Sequence, residues 1–180
     1  MKKTVKLLLI IMLAISFASC KEIHCPAFPK ELRDSYFPYS AEELLKFANN
    51  NNDTLEVKIK NTWISDAHSF PKNCDCECGA YAGFDTEMDK KTLLKINGTI
   101  HFFSESKDYY LRCEFYDSYL SSDLFETLKY NFTEKTAIFG DTIFMEEQEY
   151  YRIGSVKIVK NKGIVEFWDK QLNCNWIKIE

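Results

Sequence analysis

Histidine is scarce in this chain of 180 residues, occurring only at positions 24, 68 and 101, and glycine (six) and proline (four) are few. The sequence also lacks a Gly-x-Ser-x-Gly elbow, a His-Glu-x-x-His pair, a phosphate-cradling glycine-rich loop and an Asp-x-Asp-x-Asp-Gly calcium loop. Each of those patterns sets a nucleophile, metal or phosphate in a specific geometry, so their absence argues against the matching enzyme classes. Cationic clusters are missing as well. Beyond Lys6 the longest basic run is Lys90-Lys91, preceded by Asp89, which offers too little charge to hold a phosphate backbone and excludes nucleic acid as a partner. Apolar runs are short. The longest, Leu7–Phe17, falls below the roughly 20 residues that a bilayer-spanning helix needs.

What is present at the N-terminus is ordered like an export signal. Lys2, Lys3 and Lys6 form a basic head, Leu7–Phe17 an apolar middle, and the small residues Ala18 and Ser19 precede Cys20. This arrangement resembles the lipobox of bacterial lipoproteins, with Phe17 standing where that motif prefers Leu. The resemblance implies that residues 1–19 are a cleaved signal peptide and that Cys20 is lipidated as the first residue of the mature chain. A single acyl chain holds a protein only marginally, whereas the two or three chains carried by such lipoproteins give durable attachment. The implied address is the bacterial cell envelope, most naturally the outer membrane, on its periplasmic face or at the cell surface. Loss of the three signal lysines takes the net charge from −4 to −7.

Residues 20–180 suit one domain, and no internal repeat or low-complexity linker divides them. Residues 20–35 read as a tether, residues 36–180 as the domain, and the segment near 66–90 as a cysteine-rich loop. The periodicity is that of strands. Leu55, Val57 and Ile59 alternate with Glu56, Lys58 and Lys60; Leu94, Ile96, Gly98, Ile100 and Phe102 alternate with Lys95, Asn97, Thr99 and His101. Tyr109, Leu111, Cys113 and Phe115 alternate with Tyr110, Arg112, Glu114 and Tyr116, and residues 104–108 read as the hairpin loop between these two strands. Further strands are expected over 142–145, 150–159, 164–168 and 175–179. The predicted fold class is therefore mainly β: an antiparallel sheet closed as a barrel or half-barrel, or folded as a sandwich, with at most one or two short helices. Two segments are ambiguous. Ser40-Ala-Glu-Glu43 has the spacing of a capping box, so 42–48 reads as strand or short helix, and 122–130 stays open between the same two.

Cys25-x-x-Phe28-Pro29, Tyr36-Phe-Pro-Tyr39, Leu45-x-Phe47, Asp53-Thr54-Leu55 and the tail Lys162-Gly-Ile-Val-x-Phe167 with Trp176 resemble small lipoproteins common in Bacteroidetes. The resemblance covers both ends of the mature chain and leaves its middle third unmatched. It implies a β-rich domain and an envelope location, and brings no activity with it. Asp53-Thr54-Leu55 and Asp141-Thr142-Ile143 also resemble that phylum's O-glycosylation acceptor, although Asp-Thr equally marks a turn entering a strand.

Besides Cys20, six cysteines remain: Cys25, Cys74, Cys76, Cys78, Cys113 and Cys174. Export permits disulfides, and an even count is what a bridged domain shows. If neighbours two apart are poor partners, Cys74, Cys76 and Cys78 each seek one of Cys25, Cys113 and Cys174. The alternatives are buried free thiols, or a zinc or Cu(I) site built from Cys74, Cys76 and Cys78 with His68, although Cys-x-Cys aims poorly at a single tetrahedral ion. No other cofactor is implied.

Nothing in the sequence marks an activated Cys–His pair, and His101 falls on the solvent side of its strand, so no catalytic residue is assigned. The tyrosine-rich strands (Tyr109, Tyr110, Tyr116, Tyr119, Tyr150, Tyr151, with Phe115) supply both core and a rim suited to sugar, lipid or protein contacts. The expected function is thus a lipid-anchored, non-catalytic binding or interaction module taking a small apolar, glycan or protein ligand. The alternatives are an immunity lipoprotein that occludes an incoming toxin, and a metal-handling lipoprotein using the Cys74–Cys78 cluster.

Overall fold

The computed structural model describes residues 25, 27–65, 68–72, 75–87, 94–103, 108–121, 124–136, 140–146 and 152–179. They form one short helix, α1 (Lys30–Tyr36), and eleven strands: β1 (Leu44–Ala48), β2 (Thr54–Ile64), β3 (His68–Lys72), β4 (Asp75–Thr86), β5 (Leu94–Phe103), β6 (Asp108–Ser121), β7 (Leu124–Thr136), β8 (Thr142–Glu146), β9 (Ile153–Val159), β10 (Gly163–Asp169) and β11 (Cys174–Ile179). Every strand pairing is antiparallel, in the order β7-β6-β5-β4-β2-β1-β11-β10-β9-β8, with β3 added alongside β4. Two meanders, β4 to β7 and β8 to β11, are joined through the β1–β2 hairpin. Strands β7 and β8, at the two ends of this order, approach each other, so the sheet curls into a half-barrel.

The inner face is where the alternation places it. Leu55, Val57 and Ile59 of β2, Leu94, Ile96 and Ile100 of β5, Leu111, Cys113 and Phe115 of β6, and Phe167 and Trp176 of β10 and β11 are all buried. Residues 42–48 resolve to strand rather than helix. Ser40 N–H does donate to the Glu43 carboxylate at 2.8 Å, as a capping box would have it, but Glu42 adopts φ +70 and turns the chain into β1. In the segment 122–130, residues 124–130 are likewise strand, within β7, and 122–123 lie outside the described residues.

The concave side is filled by the chain's own N-terminal segment. Phe28, Tyr36, Phe37 and Tyr39 are buried against the sheet, with Leu32 packed beside them, so Phe28 and Leu32, in the stretch 20–35 read as a tether, contribute to the core. A seven-residue helix is marginal by itself. Here it is held by this packing, by Tyr36 Oη donating to the Gly140 carbonyl at 3.0 Å, and by the Asn161 amide donating to the Ser35 carbonyl at 2.5 Å. Its local sequence signals are Pro29 at its entry, Glu31 in its first turn and Arg33 in its last. Gly98 makes room for the segment: a Cβ there would lie 2.3 Å from the Phe84 ring and 2.7 Å from that of Phe37.

The segment 66–90 is not simply a loop, since most of it forms the β3–β4 hairpin. Its strand character follows from the alternation that places Ala80, Ala82 and Phe84 in the core.

Candidate functional site

Cys25 and Cys78 are joined in a disulfide, with Cα atoms 5.4 Å apart. The bridge closes a loop of 53 residues, which on chain-entropy grounds restricts the unfolded state by about 4 kcal/mol. Cys113 and Cys174 are instead free and buried, so the expectation that each pairs with a clustered cysteine is corrected. Cys113 lies on the inner face of β6 opposite Phe132, while Cys174 opens β11 and accepts a hydrogen bond from Asn49 Nδ2 at 3.6 Å. Burial pushes both thiols up, opposed at Cys174 by the Asn49 contact, which is the reverse of nucleophile activation. Bridging removes Cys78 from any three-thiolate metal centre. The positions of Cys20, His24 and Cys74 lie outside the described residues; Cys76 and His68 are placed in β4 and β3, where they pair with Pro71 and Gly79. Among the described residues no group of three or more His, Cys, Asp or Glu converges as a metal site.

The outer face carries two distinct surfaces. The first is a groove of about 580 Å³ over β9, β10 and β11, walled by Pro38 and the β9–β10 turn. A register shift between Ile164 and Glu166 marks a bulge at Val165, which bends β10 and opens the groove. Its floor is apolar: Val165 with Ile177 and Ile179, of which Ile177 is 48% exposed. Its rim is cationic, with Lys157, Lys162 and Lys178 against one carboxylate, Glu166. Lys157 Nζ lies 3.9 Å from Glu166, whereas Lys178 Nζ donates to the Lys162 carbonyl at 3.2 Å and sits 5.4 Å above the Tyr39 ring. Phe144, 55% exposed, extends the apolar surface from its position opposite Lys157.

Tyr39 ties this groove to the core. Its hydroxyl accepts the Ile164 amide at 2.6 Å, and the adjoining Gly163, at φ +74, brings its backbone so close that a Cβ would lie 2.1 Å from Tyr39 Oη. Only glycine suits a left-handed position pressed against a buried phenol. Burial raises the Tyr39 hydroxyl strongly, with the Ile164 contact opposing, so it stays a neutral phenol.

The second surface is an aromatic row on the outer side of β4, β5 and β6. Tyr81 pairs across to His101, and His101 to Tyr110. Ring centroids are 5.7 Å apart for Tyr81–His101, 6.5 Å for His101–Phe103 and 5.5 Å for Phe103–Tyr110. His101 is on the outer face, as its alternation indicates, and burial followed by the Arg112 charge lowers it against a smaller pull from Glu114. Tyr116 continues the outer face, donating to Glu114 at 2.7 Å under the Lys95 ammonium. Tyr109 instead stacks on Phe102 and packs against the core, and Phe115 belongs to it. Tyr150 and Tyr151 lie outside the described residues.

The fold and its surfaces define a class: an antiparallel β half-barrel whose concave side is self-filled and whose outer face carries the accessible chemistry. Compared with family models, curated proteins and solved structures, the chain matches none.

Proposed function

We propose that this chain is a lipid-anchored, non-catalytic binding module of the bacterial cell envelope, holding a small amphiphile with an anionic group in the groove over β9–β11. The observation that carries this reading is the pairing of an apolar floor (Val165, Ile177, Ile179) with three rim lysines against a single carboxylate. On a chain whose net charge is −4, that local excess of cations is complementary to an anionic head, while the exposed isoleucines suit a short apolar tail. The N-terminal segment packed on the concave side favours a ligand held against the outer face over one held inside the half-barrel.

Hexyl phosphate, soluble as a monomer, is the probe. Titrated into the mature protein held in lipid nanodiscs, it should bind, and Lys157→Gln/Lys162→Gln/Lys178→Gln should weaken binding at least about threefold, because partly exposed charge contacts contribute roughly 0.2–1 kcal/mol each. Hexyl glucoside, with the same tail and no charge, should be insensitive to the substitutions. Equal affinity of both proteins for hexyl phosphate would reject the groove as an anion site.

A further inference from the structure

We infer that the aromatic row Tyr81–His101–Tyr110 with Phe103 is a membrane-docking surface, laid against the lipid–water interface of the bilayer that holds the chain. This rests on the reading of Cys20 as the lipidated residue. Cys20 precedes Cys25 by five residues, a stretch that spans at most about 18 Å. Cys25 is in turn fastened to Cys78, whose next residue, Gly79, pairs directly with Phe103. Tyr81 follows three residues after Cys78 and pairs with His101. The disulfide therefore shortens the leash at one particular place, the end of β4 and β5 where the outer aromatics are gathered.

The chemistry of that end fits an interface. Tyr81 is 36% exposed. Trp63, paired with Gly83 two residues further along β4, lies on the same outer side, pressed against that glycine. Rings with an apolar body and a polar tip partition to the headgroup level of bilayers. Arg112 and Glu114, which flank the row on β6, lie 3.8 Å apart and offset each other's charge. The bridge sets which end of the sheet lies nearest the lipid, and these rings stand at that end.

The test uses the acylated protein on phosphatidylethanolamine–phosphatidylglycerol vesicles containing brominated lipid. Tyr81→Trp and Phe144→Trp place one added indole on each of two outer surfaces, and both positions are exposed enough to accept it. The added fluorescence of Tyr81→Trp should be quenched at least twofold more than that of Phe144→Trp. Equal or reversed quenching in protein that intact mass shows to be acylated overturns the docking surface and leaves the anchor standing. Natural protein that intact mass shows to carry no lipid overturns the anchor, and the docking surface with it. Quenching that is absent on vesicles, together with protection of the Tyr81→Trp indole by added oligosaccharide, assigns the row to a sugar and also overturns the inference.

Discussion

Asp169→Ala should cost about 3–5 kcal/mol of stability, read as a lowered denaturation midpoint with an unchanged slope. Asp169 is 0% exposed, and its carboxylate accepts from Arg152 Nε at 2.9 Å and from the Leu172 amide at 3.1 Å. Arg152 is itself only 8% exposed. Removing the carboxylate takes one buried acceptor from Arg152 and the acceptor from the Leu172 amide, and so opens the turn that launches β11. The ion pair is not thereby shown to be the best occupant of the site, since a buried pair can often be replaced by apolar groups at little cost. Asp169→Leu with Arg152→Met should therefore be less destabilised than Asp169→Ala alone. A double variant at least as unstable as the single one would contradict this account of the pair.

Tyr39→Ala should be comparably severe, about 3–5 kcal/mol for truncating a buried aromatic side chain. The ring packs edge-on against Phe84 at 4.7 Å, fills the space that Gly163 leaves, and carries the hydroxyl that satisfies the Ile164 amide. Tyr39→Phe separates the two contributions: it keeps the ring and leaves a buried N–H unpaired, for a cost of about 1–3 kcal/mol. Chemical denaturation of the three proteins measures both. Equal losses for the two substitutions would mean that the hydroxyl, and not the packing, holds the N-terminal segment in the half-barrel. The groove should loosen in Tyr39→Ala as well, because Lys178 rests over that ring.

Much of the fold could be read directly from period-two patterning. Strands β2, β5 and β6 bury the residues their alternation predicts, and β8 to β11 lie within a residue or three of the expected spans. The pattern falters where local and tertiary preferences compete. Ser40–Glu43 makes the hydrogen bond of a helix start, but the pairing of Leu45 and Phe47 with β2 and the core outweighs it. α1 escaped because its seven residues show little periodicity and depend on contacts with Gly140 and Asn161, more than 100 residues away in sequence. The cysteines were only partly legible. Count and compartment pointed to bridging, yet which thiols meet depends on the curl of the sheet, which places Cys25 at Cys78 and leaves Cys113 and Cys174 buried on separate strands. The groove had no sequence signal, because it arises from a one-residue bulge in β10 and the arrival of Pro38 from the far end of the chain.

The proposed membrane attachment underlies both the proposed function and the docking surface, and the intact mass of the protein isolated from its native source tests it most directly. The account predicts a polypeptide beginning at Cys20 and carrying a diacylglyceryl group, with or without a further acyl chain. A mass corresponding to the full chain from Met1, or to a processed chain without lipid, would contradict it.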